Sequence, residues 1–294
     1  RILMQCLIRQ RHFRNNSFNT YFNYDVTTGP LRHRILLGYD YFQMAQQAGS
    51  SAMTAGGYLL KDGTTTTVFK PANIARYVLD TDGNPKTNVP YYDLTSNDNN
   101  IERDYSKYVF VSTALTPYLQ YSHGIYLQEQ LEAGPVKLLL GIRQEFFTDV
   151  LNYKTNNETH TTQHAFIPRI GAVVTINKNL NVYGTWVKGF EPQSASVQGN
   201  PNAGGPFDPE YSQLLEAGLK GEWFDKRLST TLSFFHLQKR NTLYNANDPA
   251  NPERLEQVGE ETSKGIEMDI AGFILPNWSI VANYAYTHAA ITKT

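Results

Sequence analysis

Two histidines near the middle of the chain have a spacing that could hold a metal ion. His160 and His164 are four residues apart in the stretch HTTQH, and on a helix this spacing places two side chains on one face, where both can bind zinc. The neighbouring sequence, however, indicates a loop that runs into a β-strand. Residues four apart in a strand are about 13 Å from each other, which is too far for one ion. We therefore predict no metal site at these histidines.

A second stretch offers hard oxygen ligands. Residues 97–104, NDNNIERD, contain Asp98, Asn99, Glu102 and Asp104, which are side-chain types that bind calcium. The stretch lacks the glycine and the regular spacing of a calcium-binding loop, so we interpret it as a polar loop. The sequence also has no nucleophile-elbow, zinc-protease, phosphate-loop or dinucleotide-binding motif. We expect no enzymatic activity and no resident metal.

Aromatic residues in the predicted loops are better candidates for a binding site. Aromatic side chains combine a large stacking surface with, in tyrosine, a polar group, so they suit a small ligand that is polar and partly apolar. Alternatively, aromatics at such positions pack within loops or form a girdle at a membrane surface. The candidates for ligand contact are Tyr91, Tyr92, Tyr105, Phe190, Phe207 and Tyr244.

The elements that must position these residues form a series of hairpins. Apolar and polar residues alternate over long stretches, as in β-strands with two different faces, and Gly, Pro, Asn or Asp separates the strands of each pair. The predicted pairs are 17–26 with 31–42, 118–131 with 136–148, 164–176 with 180–190, 211–224 with 227–241, and 258–273 with 277–290. The sequence therefore predicts about ten antiparallel strands.

The connections between these strands alternate between short turns and long polar segments. The long segments are about 43–117, 149–163, 191–210 and 242–257. An up-and-down barrel produces this order because its turns are short at one end and its loops are long at the other. A soluble sandwich also has many strands, but they are usually about 5–6 residues long. We predict an all-β fold, an antiparallel up-and-down transmembrane β-barrel that is only partly present in this chain.

The strand from Tyr211 to Trp223 indicates what covers the apolar face. Every second residue is mostly apolar and the residues between them are mostly polar. The two aromatics are about 40 Å apart along a strand, and a tilt of about 40° projects this to about 30 Å, close to an apolar band of about 25 Å with its aromatic girdles. Trp278 and Tyr286 repeat this arrangement. We predict that these four aromatics form membrane girdles and that lipid covers the face between them.

Charged residues alternate with apolar residues along these strands, so we expect them on the side of the sheet opposite the apolar face. They are Arg143, Glu145, Glu216, Lys220, Glu222, Glu267 and Asp269. In a polar lumen such side chains are hydrated or paired across strands, so we expect a structural role for them. The pattern leaves two registers open: either Tyr183 or Trp186 points outward in 180–190, and the alternation in 227–241 is not defined after Phe235.

Composition narrows the classes of function. Charged residues make up 18% of the chain and aromatics 13%, with a mean hydropathy of -0.44, which suits two-faced strands better than an aliphatic α/β core. The net charge of -1 provides no basic surface for nucleic acid. No stretch approaches the 18 or more apolar residues of a transmembrane helix. Cys6 is the only cysteine, so no disulfide framework within the chain is expected.

Five blocks in the second part of the chain carry a family resemblance. They are GIYLQEQ (124–130), LLLGIRQEFF (138–147), LNVYGTWVKGFEPQ (180–193), FDPEYSQLLEAGLKGEWFDKRLSTTLSFFHLQKRN (207–241) and GEETSKGIEMDIAGFILPNWSIVANYAYTHAAI (259–291). From about Leu119 onward, these strand–turn–strand blocks resemble the barrel of TonB-dependent siderophore receptors, particularly of the ferrichrome-receptor type. They cover more than half of the chain.

The resemblance implies a fold and a location. Such receptors form a barrel of about 22 strands filled by an N-terminal plug, in the outer membrane of a Gram-negative bacterium. Residues 1–294 would be a partial barrel domain, truncated at both ends and lacking the plug and the terminal strands. The long loops would be extracellular, with 43–117 as a lid, and the short turns would lie in the periplasm.

The resemblance also implies an activity and partners. The parent protein would import ferric siderophore complexes, with energy supplied by the TonB–ExbB–ExbD complex through an N-terminal region. The expected partners are therefore the ferric siderophore, this energising complex and outer-membrane lipid, and nucleic acid is not among them. No covalently bound cofactor is expected, because iron enters as part of the substrate. The loop aromatics named above would then face the siderophore.

Other functions stay open at this level. The same fold could carry another cargo, such as cobalamin, haem or a glycan. A passive porin would share the barrel but not the plug, and a soluble β-rich binding module would need no lipid around its apolar faces. The identity of the siderophore cannot be derived from the loop aromatics.

Overall fold

The computed structural model describes residues 2–3, 6–55, 57–66, 68–86, 91–92 and 110–293. The chain divides into two compact units. The larger unit contains residues 15–44, 119–151 and 155–294, and the smaller unit contains residues 1–14, 45–118 and 152–154.

The main sheet has ten strands that follow one another in chain order. They are β1 (Phe13–Thr28), β2 (Leu31–Gln46), β3 (Tyr118–Ala133), β4 (Val136–Leu151), β5 (Thr159–Asn177), β6 (Leu180–Glu191), β7 (Glu210–Trp223), β8 (Leu228–Arg240), β9 (Glu260–Leu275) and β10 (Trp278–Lys293). Each strand from β2 to β9 is hydrogen-bonded to the preceding and the following strand, and β1 and β10 stand at the two ends of this order. The predicted ten-stranded up-and-down meander is confirmed.

The strands are longer than the alternation pattern indicates. β4 has 16 residues and β5 has 19, so β4 continues to Leu151 and β5 begins at Thr159. The segment 149–163, predicted as a long loop, is therefore mostly paired, with Val150 opposite His160 and Leu151 opposite Thr159. Polar β-branched residues extend the hydrogen-bonded ladder without adding to the apolar alternation, which explains why the prediction ended too early.

Short turns join the strands of each hairpin, as predicted. Gly29 and Gly134 adopt φ angles of 60° and 57° in the first two turns, where a tight hairpin requires a left-handed residue. The turn between β7 and β8 is longer than the predicted Asp-Lys pair, because Phe224, Asp225 and Lys226 all have positive φ angles. The two strands consequently end at Trp223 and begin at Leu228.

Strand register assigns each side chain to one of two faces. Leu215 lies opposite Trp186 on β6 and opposite His236 on β8, and we call this side of the sheet the apolar face. Glu216 lies opposite Thr185 and Phe235 on the other side, which we call the polar face. The register settles both open questions: Trp186 lies on the apolar face and Tyr183 on the polar face, and the alternation in β8 continues without interruption to Arg240.

Two of the long connections contain further structure. Residues 195–198 form the short helix α1 (Ala195–Gln198). Residues 242–257 were predicted as loop, but Thr242–Asn245 and Leu255–Val258 pair as a small antiparallel hairpin. Each of these strands has only four residues, so its periodicity is too short to be detected in the sequence.

The smaller unit contains three paired strands, at Cys6–Gln10, Ser51–Ala55 and Val111–Ala114. The prediction that 43–117 is a loop is therefore wrong for 51–55 and 111–114, which pair with residues distant in sequence. A local aromatic cluster stabilises the part between them: the ring of Phe69 lies 5.6 Å from that of Tyr58 and 5.3 Å from that of Tyr77. The latter is only 4% exposed, and its hydroxyl donates to the carbonyl oxygen of Val68 at 3.1 Å.

Smaller elements of this unit pair Tyr58–Leu59 with Thr65–Thr66 and Ile2–Leu3 with Tyr91–Tyr92, and Pro71–Arg76 forms a 3-10 helix. Within the described part of the chain, no helix has the length and hydropathy needed to cross a membrane.

Candidate functional site

A charged cluster lies on the polar face where β2, β3 and β4 meet. Arg143 donates two hydrogen bonds to the carboxylate of Asp40, from Nη1 at 2.5 Å and from Nη2 at 2.8 Å, and a third from Nε to Glu145 at 2.6 Å. This bidentate geometry is the strongest form of Arg–carboxylate pairing. One cation and two carboxylates leave a formal charge of -1, so the cluster is a negative element of the polar face.

Two glycines make room for this cluster. The guanidinium of Arg143 lies 5.7 Å from the centre of the Tyr126 ring, within the range of a cation–π interaction. A Cβ atom on Gly38 would lie only 2.2 Å from Cζ of this ring, and one on Gly124 would meet the guanidinium itself. The layered stack of arginine and tyrosine therefore requires a glycine on β2 and another on β3.

A second cluster on the polar face joins β6 and β7. The hydroxyl of Tyr183 donates to Oε1 of Glu216 at 2.6 Å, and Nζ of Lys220 lies 4.9 Å from the centre of the tyrosine ring. Both charged residues were predicted on this side of the sheet, and the register confirms it for all seven predicted interior charges. The polar face thus presents hydrogen-bonded carboxylates, cations and hydroxyl groups along several strands.

A third group of polar residues lies at the loop end of β7, β8 and β9. Lys239 donates to Oε1 of Glu210 at 2.8 Å, and Thr242 donates to the other oxygen of this carboxylate at 2.9 Å. The hydroxyl of Tyr244 donates to Glu261. This hydrogen bond to a carboxylate raises the pKa of the Tyr244 phenol above its ordinary value, because ionisation would place two negative charges together.

Two loops above these strands are joined by hydrogen bonds. We call them L1 (192–209) and L2 (241–259). In L2, Oε2 of Glu253 accepts hydrogen bonds from the side-chain amides of Asn200 at 3.1 Å and Asn202 at 3.3 Å, both in L1. These bonds lower the pKa of the Glu253 carboxyl, since they stabilise its ionised form. The backbone N–H of Leu255 also donates to the carbonyl oxygen of Ala203 at 2.9 Å.

L1 is also anchored to the sheet below it. The backbone N–H of Ala195, at the start of α1, donates to Oδ2 of Asp149 at 2.7 Å. Gln163 on β5 makes a reciprocal pair with the backbone of Gln193, at 2.9 and 3.1 Å. The side chains of Asp149 and Gln163 are almost fully buried, so these bonds are shielded from water. L1 and L2 are therefore fixed by polar contacts to each other and to the strands.

The predicted ligand-contact residues lie in different elements and differ in exposure. Phe207 is nearly buried inside L1, where its backbone forms a reciprocal pair with the side chain of Gln198 at 2.6 and 2.8 Å. Tyr244 is exposed on the small hairpin of L2. Phe190 lies in the register of the apolar face, with its ring 5.9 Å from that of Tyr211. The backbones of Tyr91 and Tyr92 form a short strand.

Tyr105 and residues 97–104 lie outside the described residues. Ligand contact therefore stays a prediction for all six aromatics. Among the described aromatic pairs, no two of Phe190, Phe207 and Tyr244 have their rings in contact.

His160 and His164 both lie on β5. The side chain of His160 contacts Glu158 at 2.8 Å, and the ring of His164 lies 6.4 Å from the ring of Phe146.

The predicted girdle residues share the apolar face. Tyr211 and Trp223 lie at the two ends of β7, and Trp278 begins β10, which also carries Tyr286. All four side chains are exposed, as lipid contact would require. Their role as girdles stays a prediction.

Several polar residues of the site were absent from the sequence prediction. The alternation of β2 could have placed Asp40 on the polar face, away from the apolar residues of the strand. It could not have shown that Asp40 pairs with Arg143. Asp149 and Glu253 lie in segments without periodicity, so no local pattern indicates their partners. Across the described residues, no group of three histidine, cysteine or carboxylate side chains has the geometry of a metal site.

These features define the class of protein. Ten consecutive antiparallel strands with one apolar face, one polar face, short turns at one end and long loops at the other are the wall of a wide transmembrane β-barrel. The family model described as "TonB dependent receptor-like, beta-barrel" matches residues 7–294. The chain belongs to this family, whose members are receptors and transporters of Gram-negative outer membranes.

Characterised relatives are similar over about half of the chain. The metal-pseudopaline receptor CntO of Pseudomonas aeruginosa is 33% identical over 175 residues, which is 57% of this chain and 24% of that receptor. The ferripyoverdine receptor of the same species is 32% identical over 147 residues, or 47% of this chain and 18% of that receptor. The chain spans about a quarter of the length of these relatives or less.

Solved structures share the fold. The alcaligin receptor FauA from Bordetella pertussis has a TM-score of 0.62 at 18% identity, covering 97% of this chain and 40% of that one. The ferric-catecholate import receptor Fiu from Escherichia coli K12 has a TM-score of 0.65 at 17% identity, covering 97% of this chain and 39% of that one. The ferrichrome-receptor subtype is not distinguished by these matches and stays a prediction.

Proposed function

We propose that the protein whose barrel wall includes this chain imports ferric siderophores across the outer membrane of a Gram-negative bacterium, with energy supplied by the TonB–ExbB–ExbD complex. The apolar face would contact lipid, and the polar face would line the lumen. L1 and L2 would then lie at the extracellular mouth and the short turns in the periplasm.

The polar face is the observation that carries this proposal. Its carboxylates, cations and hydroxyl groups are held in place by the pairs Arg143–Asp40, Tyr183–Glu216 and Lys239–Glu210. Such groups can bind a polar solute reversibly through hydrogen bonds and charge, as a receptor for a polar solute requires. Two anchored loops above the lumen provide a fixed rim on which a ligand can be held.

A second candidate cargo is another metal–chelator complex. The similarity to a metal-pseudopaline receptor, at 33% identity over 175 residues, is as high as the similarity to the ferripyoverdine receptor. Both cargoes are polar metal chelates, and the polar face described above suits either. Cobalamin, haem and glycans remain alternatives with the same fold.

Uptake in a deletion strain tests these proposals. The full-length gene is restored on a plasmid, and iron-limited growth and uptake of radioactive iron are measured with one ferric siderophore at a time. Parallel assays use nickel, cobalt or zinc with the corresponding chelator. We expect uptake of at least one chelate to require both the gene and TonB.

The outcomes separate the candidates. Gene-dependent uptake of nickel, cobalt or zinc chelates without ferric uptake would replace the siderophore proposal by the second candidate. Uptake that continues without TonB would indicate a passive porin. No gene-dependent uptake of any metal chelate would contradict both proposals.

A further inference from the structure

Three polar side chains form a hydrogen-bonded chain near the short-turn end of β1, β2 and β3. Nε2 of His33 lies 2.7 Å from Oγ1 of Thr28, and Nδ1 of the same ring lies 2.6 Å from Oε1 of Glu129. We call these three residues the hydroxyl relay: Thr28, His33 and Glu129. Because Glu129 is 96 residues away from His33 in sequence, no local motif marks the group.

The two ring nitrogens of His33 have different partners, which fixes the direction of both hydrogen bonds in the neutral imidazole. An ionised carboxylate can only accept a hydrogen bond, so Nδ1 carries the proton and donates to Glu129. Nε2 is then an acceptor, and the hydroxyl of Thr28 donates to it. This is the arrangement of a nucleophile, a general base and a residue that orients the base.

The exposure of the three residues suits this chemistry. Thr28 is exposed at the end of β1, whereas the side chains of His33 and Glu129 are 19% and 32% exposed. A substrate can therefore reach the hydroxyl while the base is partly shielded. The next residue, Gly29, has a φ angle of 60° and no heavy atom within 4 Å of the place of a Cβ. This leaves room for a substrate carbonyl beside its backbone N–H, the group that stabilises the oxyanion in many hydrolases.

The hydroxyl relay lies on the apolar face. His33 is seven residues from Asp40 in β2, and Glu129 is three residues from Tyr126 in β3. An odd separation in a strand places two side chains on opposite faces, and Asp40 and Tyr126 both contact Arg143 on the polar face. The exposed neighbours of the relay on its own face are aliphatic: Leu37, Ile125 and Leu127. A solute in the lumen therefore does not reach the relay.

The position of the relay along the strands restricts its substrate. Thr28 ends β1 directly before the turn, and His33 is the third residue of β2. In the orientation of the proposed function, this end of the apolar face meets the periplasmic leaflet, at the boundary between acyl chains and headgroups. The ester bonds of glycerophospholipids lie at that boundary. A lipid ester is therefore the electrophile that this hydroxyl group can meet.

We propose that the hydroxyl relay is a catalytic site that transfers an acyl group from a glycerophospholipid to water. Thr28 is the nucleophile, His33 is the general base and Glu129 is a positioning residue. The orientation in the membrane rests on the proposed function, but the chemistry of the relay does not depend on the imported cargo.

The reaction has two steps. In the first, Nε2 of His33 takes the hydroxyl proton while Oγ1 of Thr28 bonds to the ester carbonyl carbon. The bond from this carbon to the glycerol oxygen breaks, and the glycerol oxygen leaves with the proton from His33. In the second step, water gives a proton to His33 and bonds to the acyl carbon, and Oγ1 of Thr28 leaves with that proton. The products are a lysophospholipid and a fatty acid, and water is the only co-reactant.

Lipid hydrolysis by the purified full-length receptor tests this site. The receptor is prepared from a strain deleted for its own outer-membrane phospholipases and placed in vesicles of phosphatidylethanolamine and phosphatidylglycerol. Release of fatty acid and lysophospholipid is followed by mass spectrometry. The test variant Thr28→Val removes the hydroxyl at nearly constant shape. The matched control Thr27→Val makes the same change at the exposed threonine before it, which lies on the other face.

We expect Thr28→Val to reduce release to the rate of vesicles without receptor and Thr27→Val to match the unmodified receptor. Thr28→Ser should retain hydrolysis, because it keeps the hydroxyl, and His33→Gln should lower the rate at least about 100-fold. Equal rates in Thr28→Val and Thr27→Val, or no release by the unmodified receptor, would overturn the proposal.

Glu129→Gln tests the positioning role. The new amide can donate to Nδ1 and thereby favours the wrong tautomer of His33, so we expect kcat to fall while KM for the lipid stays the same. An unchanged kcat would remove Glu129 from the relay.

A soluble nitrophenyl ester serves as a second substrate. If it is cleaved in a Thr28-dependent reaction while phospholipid is not, the relay is an esterase site and the lipid assignment is wrong.

These assays separate the relay from the proposed function, because hydrolysis is measured without TonB and without a siderophore. Absence of iron uptake in the deletion strain would contradict the proposed cargo and leave a positive hydrolysis result valid. Absence of hydrolysis together with TonB-dependent uptake would contradict the relay alone.

Discussion

Arg143 and Asp40 are 103 residues apart in sequence and form a bidentate ion pair on the polar face, with hydrogen bonds of 2.5 and 2.8 Å. The two side chains are only 30% and 25% exposed. Removal of either partner leaves the other as an unpaired, partly desolvated charge, so we expect it to reduce the free energy of unfolding. The pair also connects β2 to β4 across the strand between them.

The Asp40→Asn substitution should therefore destabilise the folded barrel. We expect the free energy of unfolding to fall by about 1–3 kcal/mol, as measured by urea unfolding of the full-length receptor in lipid vesicles. The control is Asp269→Asn, which changes an exposed carboxylate on the same face. If Asp40→Asn and the control have the same small effect, the ion pair contributes nothing measurable. In the double variant Asp40→Asn, Arg143→Gln, the loss of unfolding free energy should be smaller than the sum of the losses in the two single variants.

A side chain at Gly38 should displace the Tyr126 ring. A Cβ atom at this position would lie 2.2 Å from Cζ of Tyr126, so the ring would have to leave its place beneath Arg143. We expect Gly38→Ala to reduce the free energy of unfolding by about 1–3 kcal/mol. Gly184→Ala is the matched control, since its nearest neighbour would be 3.7 Å away. Equal stability of the two variants in urea unfolding would show that the Tyr126 ring does not require a glycine at position 38.

The main sheet could be predicted from the sequence because each strand carries its own signal. Alternation over ten or more residues identifies a two-faced strand, and glycine in the turns identifies where it ends. Where the apolar residues on the two faces are similar, as at Tyr183 and Trp186, alternation gives no answer. The register with β7 supplies it, since Trp186 lies opposite Leu215 and Tyr183 opposite Gly218.

The candidate site was less predictable because its contacts join distant residues. The side of the sheet on which Arg143 lies follows from alternation, but its pairing with Asp40 follows from the order of the strands. The anchor of L1, from Ala195 to Asp149, uses a backbone N–H that no sequence pattern marks. Short strands such as Ser51–Ala55 likewise depend on partners elsewhere in the chain.

Glu253 should control the contact between L1 and L2. The Glu253→Gln substitution removes the charged acceptor for Asn200 and Asn202, so the neighbouring hydrogen bond from Leu255 to Ala203 should open more often. We expect faster amide exchange in a peptide covering residues 254–258, measured by mass spectrometry. Glu256→Gln is the control, because this carboxylate is exposed in the same loop. Equal exchange in the two variants would show that Glu253 does not join the loops.

The same contact should depend on pH. The pKa of Glu253 is lowered in the folded state from an ordinary value of 4.5, so its contribution is present above that pH and is lost as the pH falls through the lowered pKa. The difference in exchange between the unmodified protein and Glu253→Gln should therefore be largest near neutral pH and disappear in acid. A difference that does not decrease as the pH is lowered below the ordinary pKa of 4.5 would contradict this linkage.

Two leucines of β7 provide a test of which face contacts lipid. Leu219 lies on the apolar face, opposite Val182 and Leu232, and Leu214 lies on the polar face. An arginine near the middle of a lipid-facing band costs about 2–4 kcal/mol, whereas lumen-facing substitutions are tolerated. We expect Leu219→Arg to reduce the free energy of unfolding in lipid vesicles by that amount and Leu214→Arg to have a much smaller effect. The opposite order would reverse the assignment of the two faces, because the same residue change in the same strand differs only in the side of the sheet that receives the charge.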